Sequence, residues 1–480
     1  MKIAATISVS IPRGRSMLIR DAEIWEYGRA DLRIAGGRIG AIGQLTPQPG
    51  EPVIAANGGA LLPGLHDHHI HLPALAAKAA SVVCGPPEIA DEAALADRLA
   101  AHPGNGWIRG ILYHQSVMGV PDARELDRLI GHRPLRIQHR SGRMWLFNSL
   151  ALETLLALAP APPGLARAAG GYTGQLFDED AWLGTTLAAA PPAFAEISTR
   201  LASYGTTGLT EMSPRNEARM AAHFDAEMAN GALRQRVVLG GAPSLSDVKV
   251  GRWQLGPVKL HLHEAALPDL DDAADFIQAA HRRERPVAIH CTTEVELVFA
   301  LAALEAAGSR PGDRIEHAGI AADDHIARIA EFSLAVVSQP HFIAERGDAY
   351  LRDVEPRHHS ALYRLASFTR AGVPLAAGSD APFGAADPWA AMRAAVSRTT
   401  AAGSQIGSDE TLSPEAALAL YLAAPQDLSR QRRIAPGEPA DLCLLAVPWQ
   451  TARARLSVDD VRATIIAGEV VHESIDQPPA

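Results

Sequence analysis

Histidines 69 and 71 stand two apart in LLPGLHDHHIH (61–71), and that spacing sets both side chains on one side of an extended chain. Such a pair can grip one ion through neutral imidazole nitrogens, a preferred donor set for zinc and related divalent metals. His66 and His68 fall on the opposite side. Two further histidines close β-rich runs, His290 after PVAI and His317 after RIE, and Asp380 closes VPLAAGS. Singly, each has a bland reading: a satisfied core histidine, a histidine that hydrogen-bonds behind a metal ligand, or a helix N-cap ahead of APFGAADPW. Together at strand ends they read as a metal site with a proton acceptor, because an activated water needs a group that takes its proton and later gives it to a leaving amine. Asp380 is the candidate for that catalytic role and for a metal ligand as well. Lys259, in PVKLHL, is costly to bury as a free ammonium among aliphatic neighbours. A carbamate formed there with carbon dioxide would supply a two-oxygen anionic bridge suited to two divalent ions, whereas a lysine snorkelling at a strand end would need none.

The elements that must position these residues follow from patterning. Eight apolar runs end abruptly in a polar residue: 61–71, 205–212, 236–241, 257–262, 286–290, 314–317, 334–340 and 373–380. Ala-rich, helix-like segments mostly separate them, as expected of parallel βαβ units. Without a GxGxxG turn, a closed (β/α)8 TIM barrel over 61–425 is favoured over an open doubly wound sheet, and such barrels do their chemistry at the strand carboxyl ends. Residues 17–60 instead alternate apolar and polar between Gly-rich turns, and the texture returns over 430–475. The two ends are expected to build one small composite β-sandwich.

About 130 residues separate the first and second barrel strands, where one helix would do, so an inserted subdomain is expected at about 73–204. It carries its own strand-like pieces, GWIRGILY and LRIQHR. Trp107, Tyr113, His114, Arg143 and Trp145 in it are candidate substrate contacts, although aromatic residues fill subdomain cores more often than they meet ligands.

The net charge of -10 and the short, isolated basic stretches at 281–285 and 430–433 argue against nucleic acid as a partner. Three scattered cysteines form neither a disulfide framework nor a metal knuckle. The opening MKIAATISVSIPRGRSMLIR is broken by polar residues, Pro12 and Gly14, and no later run could span a bilayer. A cytoplasmic protein, neither secreted nor membrane-bound, is expected, with its oligomeric state open, homo-oligomers included.

PGLHDHHIH resembles the PGxxDxHxH signature of the amidohydrolase superfamily, and DRIEHAGI, VVSQP, AGSDAPFGAADPW and IAPGEPADLCLL are similar to later motifs of its branch of N-substituted formamide deformylase-like metal-dependent hydrolases. The similarity runs in order from Met17 to about Glu473. It implies hydrolysis of a C–N bond by metal-activated water, with His69, His71, Lys259 and Asp380 on one metal and Lys259, His290 and His317 on the other. The chain departs from the branch in carrying Leu260–Glu264 after the lysine where Asp-Gly is usual, and Cys291–Glu294 after His290 where Gly-Asp is common. Arg143 and Trp145 stand near a position where the branch often has histidine.

The expectation is a hydrolase for an amide or other non-peptide C–N bond of a small molecule, using one or two divalent ions, zinc foremost. A mononuclear deaminase of a heterocycle is the rival enzyme, and a catalytically silent binding barrel is the rival from another class.

Overall fold

The computed structural model describes residues 16–187 and 191–474. The opening residues read above for a leader, and residue 475 at the end of the expected C-terminal portion, lie outside them. Two compact units divide the chain: Met1–Leu72 with Ala193–Ala480, and Pro73–Pro192. Among the described residues no helix is long and apolar enough to cross a membrane.

In the first unit, eight parallel strands follow one another around a nearly closed barrel. They are Leu65–Ile70, Thr206–Glu211, Arg236–Gly241, Gln254–His261, Val287–Cys291, Arg314–His317, Ala335–Ser338 and Leu375–Ala377. The first and last meet through backbone bonds just past their carboxyl ends, Asp380 N–H to His69 C=O at 2.7 Å and His71 N–H to Ala381 C=O at 2.9 Å. Helices return the chain between strands and bury apolar stripes at helical spacing. The helix Glu294–Ala307, for instance, buries Leu297, Ala300, Leu301 and Leu304, and it starts at a capping box of Thr293 and Glu296. The Glu296 carboxylate also accepts from Thr292 and Thr293, which gives a structural account of the Thr-Thr pair that follows His290 and Cys291.

The run 61–71 is two strands and not one. Ala60–Pro63 belongs to a separate sheet, where Leu61, Leu62 and Pro63 pair antiparallel with Leu444, Cys443 and Leu442. Gly64 makes the break: a Cβ there would come within 2.2 Å of Thr207 Cγ2, so only glycine lets the chain pass into the barrel. The separate sheet joins both chain ends in the order Glu469–Glu473, Val461–Ile466, Leu442–Leu445, Ala60–Pro63, Met17–Ile24, Gly28–Ala35, Arg38–Gly43, with Val53–Ala55 beside Met17–Ile24. It encloses its own core of Met17, Ile19, Leu32, Ile34, Leu442 and Ile465.

The second unit, Pro73–Pro192, is shorter than the expected insertion because the helix Ala195–Ser203 belongs with the barrel. That amphipathic helix buries Ile197, Leu201 and Ala202, and the Ala202 carbonyl accepts from Thr464 Oγ1 at 2.6 Å. Within the second unit a six-stranded sheet runs in the order Leu165–Ala168, Gly171–Phe177, Met144–Phe147, Leu135–His139, Ile108–Tyr113, Val82–Val83. Ile108, Tyr113, Leu135, Ile137 and Leu146 form much of its core.

Candidate metal centre

Every residue of the first barrel strand is buried, and its end delivers His69 and then His71 to the mouth. Their Nε2 atoms lie 3.4 Å apart. Asp380 Oδ1 sits 3.5 Å from the first and 3.2 Å from the second, so two nitrogens and a carboxylate oxygen converge on one point. The turn after the eighth strand achieves this with Asp380 in the left-handed region, φ 51°. Gly378 allows the close approach, since a Cβ there would lie 2.4 Å from the His69 nitrogen.

Behind these three atoms is a buried network that the sequence did not disclose. His69 Nδ1 is 2.5 Å from Glu316 Oε2, and Glu316 Oε1 accepts from Arg314 Nε at 2.6 Å. A carboxylate only accepts, so His69 presents Nδ1–H to Glu316 and its Nε2 lone pair faces His71 and Asp380. Asp67 Oδ1 accepts from the backbone N–H groups of His69 at 3.1 Å and Ser379 at 2.9 Å, tying the first strand to the turn that carries Asp380. Burial pushes the Asp67 carboxyl up to about 6, and those N–H donors hold it from rising further. His71 Nδ1 faces Ser213 Oγ at 3.1 Å. Glu211 fixes that loop by accepting from the N–H groups of Leu72 and Ser213 and from Asn216 Nδ2.

The other expected ligands line the same mouth. His317 is buried, its ring centroid 4.9 Å from that of His69 and 4.6 Å from that of His290. Its Nδ1 bonds to Gln339 Oε1 at 2.7 Å, while its buried Nε2 has no partner. Burial holds His69 and His317 far below the usual imidazole range and brings His290 to about 3, with the Lys259 charge acting in the same direction. Neutral rings of this kind offer lone pairs. Lys259 is buried, its Nζ unpartnered, and burial lowers its pKa against the pull of Glu316 and Asp380. The donors present therefore suit a divalent cation: crowded Nε2 and carboxylate atoms, an orphaned imidazole nitrogen and an orphaned amine, with the His69, His71 and His317 rings backed from behind.

The structure groups His69, His71 and Asp380 as one cluster, with Lys259, His290 and His317 around it and outside the tight triad. Two mouth residues were not singled out from the sequence. His261 stacks beside His290 at 4.4 Å, and Phe383, 61% exposed, stands edge-on to His71 at 5.7 Å. Their signals were the departure after Lys259 and an aromatic residue just past the GSD turn.

The candidate substrate contacts all fall in the second unit. Tyr113 is fully buried and donates to the Gly119 carbonyl at 2.8 Å. Trp145 donates from Nε1 to Asp180 at 2.8 Å, and Trp107 packs on the same cluster. Arg143 is exposed and forms a two-pronged pair with Asp178. His114 Nδ1 faces Ser116 Oγ at 2.8 Å.

A parallel eight-stranded barrel that gathers imidazoles and a carboxylate at the carboxyl ends of its strands is a (β/α)8 barrel with a candidate metal centre at its mouth. The chain belongs to the amidohydrolase family, whose pattern matches residues 52–472. N-substituted formamide deformylase of Arthrobacter pascens is 25% identical over 512 residues, spanning 92% of this chain and 94% of that protein. The crystal structure of an uncharacterized metal-dependent hydrolase from Pyrococcus horikoshii OT3 superposes with a TM-score of 0.75 at 20% identity, covering 90% of this chain and 97% of that one. N-isopropylammelide isopropylaminohydrolase from Burkholderia multivorans ATCC 17616 superposes at 0.54 with 17% identity, over 96% and 98%. The two structural likenesses concern the fold.

Proposed function

We propose that the barrel hydrolyses an amide or other non-peptide C–N bond of a small molecule, with a divalent metal, zinc foremost, held by His69, His71 and Asp380. The observation that carries this is the convergence of two Nε2 atoms and a carboxylate oxygen within 3.2–3.5 Å of one another, with His69 backed by a buried carboxylate. Lys259, His290 and His317 would hold a second ion, Lys259 as its carbamate. The unpartnered Lys259 Nζ and His317 Nε2 support that extension. A divalent ion in the cluster would polarise the scissile carbonyl and bring the pKa of a water toward 7.

The chain's own groups do the rest. Asp380 takes the proton of the attacking water on its carboxylate and returns it to the leaving nitrogen. Glu316 holds the His69 ring in one tautomer and orientation. Phe383 and His261 give the substrate an apolar edge and a hydrogen-bonding group at the rim. Membership of the amidohydrolase family supports C–N hydrolysis. So does the name of one sequence relative, a formamide deformylase. The three cysteines are free and buried, which fits the cytoplasm.

The test is metal analysis of protein purified without chelators, paired with turnover of N-formyl, N-acyl and cyclic amides and of aminated heterocycles. One or more equivalents of metal with amide turnover is expected. Metal below about a tenth of an equivalent would overturn the metal reading. Ammonia release confined to heterocycles, with a single ion and unmodified Lys259, would replace it by a mononuclear deaminase.

A further inference from the structure

In the second unit two half-buried guanidinium groups lie side by side with no ion pair among the described residues. Arg109 and Arg136 occupy neighbouring parallel strands, and the register pairs them directly. Residues so paired project from one face of a sheet. On the next strand Phe147 lies opposite Arg136 and Trp145 opposite Gln138, which extends the same face. The alternate residues Ile108, Leu135, Ile137 and Leu146 turn the other way, into the apolar core.

Arg136 Cζ lies 5.6 Å from the Trp145 ring and 6.0 Å from that of Trp107, and Arg109 Cζ lies 5.8 Å from Trp145. Arg109 donates from Nη1 to the Ala77 carbonyl at 3.1 Å and to Ser81 Oγ at 2.9 Å. Arg136 Nε is buried with no hydrogen-bond partner. Among the described residues no carboxylate forms an ion pair with either arginine, and the nearby Asp180 accepts from the Trp145 indole. Burial pushes Arg136 down to about 10, with the neighbouring Arg109 charge adding to the effect, and burial lowers Arg109 too. Two like charges side by side and partly desolvated are unfavourable in a bare protein. The tryptophan faces offset part of this cost. They cannot satisfy N–H groups that point along the guanidinium planes.

We propose that Arg109 and Arg136 form an oxyanion site in the second unit, taking the carboxylate or phosphate of a small molecule on two guanidinium edges with Trp107 and Trp145 as apolar walls. The guanidinium fork matches both groups, and a half-buried setting strengthens each charge-assisted bond. The site lies wholly in the second unit and stands independently of the chemistry assigned to the barrel.

The experiment is isothermal titration of the full-length protein with benzoate, inorganic phosphate and, as a neutral control, benzamide, at constant ionic strength. His69→Ala is titrated in parallel to exclude anions held at the barrel mouth. Saturable binding of benzoate or phosphate with Kd of about 1 mM or tighter is expected, retained in His69→Ala and weakened at least about tenfold in Arg136→Met. A preference for benzoate assigns a carboxylate ligand, and one for phosphate assigns a phosphate ester. Arg136→Met keeps an apolar stem against the indoles and removes one of the repelling charges, so its anion-free urea midpoint should match or exceed that of the parent. Arg136→Lys, which keeps the charge and loses the fork, should also bind weakly. Absence of saturable binding, equal binding of benzamide, loss of binding in His69→Ala, or binding unchanged in both Arg136 variants would overturn the proposal. A clear fall in the Arg136→Met midpoint, or its failure to fold, would do so as well, by making the arginine a packing element.

Discussion

The barrel mouth and the sheet of the second unit both bury nitrogen-rich side chains, and they differ in what stands behind them. At the mouth, His69 and His317 each spend one ring nitrogen on a buried acceptor, Glu316 or Gln339; His69 turns the other toward His71 and Asp380, and His317 leaves the other without a partner. In the second unit, Arg109 is partly anchored and Arg136 lies against indole rings without a hydrogen bond at Nε. Backing from behind fixes direction: a ring held by a carboxylate can present its lone pair to one place only. Arginines leaning on aromatic faces keep several donors free and can fork around a planar anion. The first arrangement suits a cation and the second an anion.

The comparison breaks most decisively at Asp380. Asp380→Asn should lower turnover by about 10²–10⁴-fold with the fold intact by circular dichroism, and more if metal is also lost. More than about a tenth of parental turnover remaining would remove it from the proton path.

Glu316→Gln should weaken metal binding by about 10–100-fold in competition with a chromogenic chelator. It should also cost up to about 3–5 kcal/mol in urea denaturation, because Arg314 is left buried without its anion. Unchanged metal affinity would mean that the backing carboxylate does not orient His69. Gly378→Ala, by forcing the eighth strand away from the first, should cost about 1–3 kcal/mol and reduce metal content, both measurable on one preparation. Chelation of the parent should lower its unfolding midpoint in proportion to metal affinity, with about 2.7 kcal/mol expected when free metal had stood at 100 times Kd. The smallest effect belongs to Arg143→Ala, whose exposed pair with Asp178 should leave midpoint and turnover within error. A large loss of turnover there would bring the second unit's surface into catalysis.

The barrel was legible because parallel strands buried on both faces read as apolar runs, and because histidine at the end of such a run is rare enough to notice. His69, His71 and Asp380, which the structure brings together, were picked out that way. Glu316 and Arg314 were hidden in RIEH, since the meaning of a charged residue in a short strand depends on a partner 247 positions away. The break at Gly64 depends on Thr207 and was likewise invisible. So was the allegiance of the helix Ala195–Ser203, whose amphipathic pattern says that it packs but not on what. Arg109 and Arg136 looked like ordinary strand residues until the register set them side by side.

The bond that ties Asp67 to Ser379 spans 312 positions of chain. At about 5–20 residues per second, a ribosome needs roughly 15–60 s to go from one to the other. Throughout that interval the nascent chain displays HDHHIH without the turn that carries Asp380, and for most of it without Glu316, which lies 247 positions beyond His69. The complete cluster is thus a product of ring closure, and an ion captured there afterwards would act as a clasp on the finished barrel.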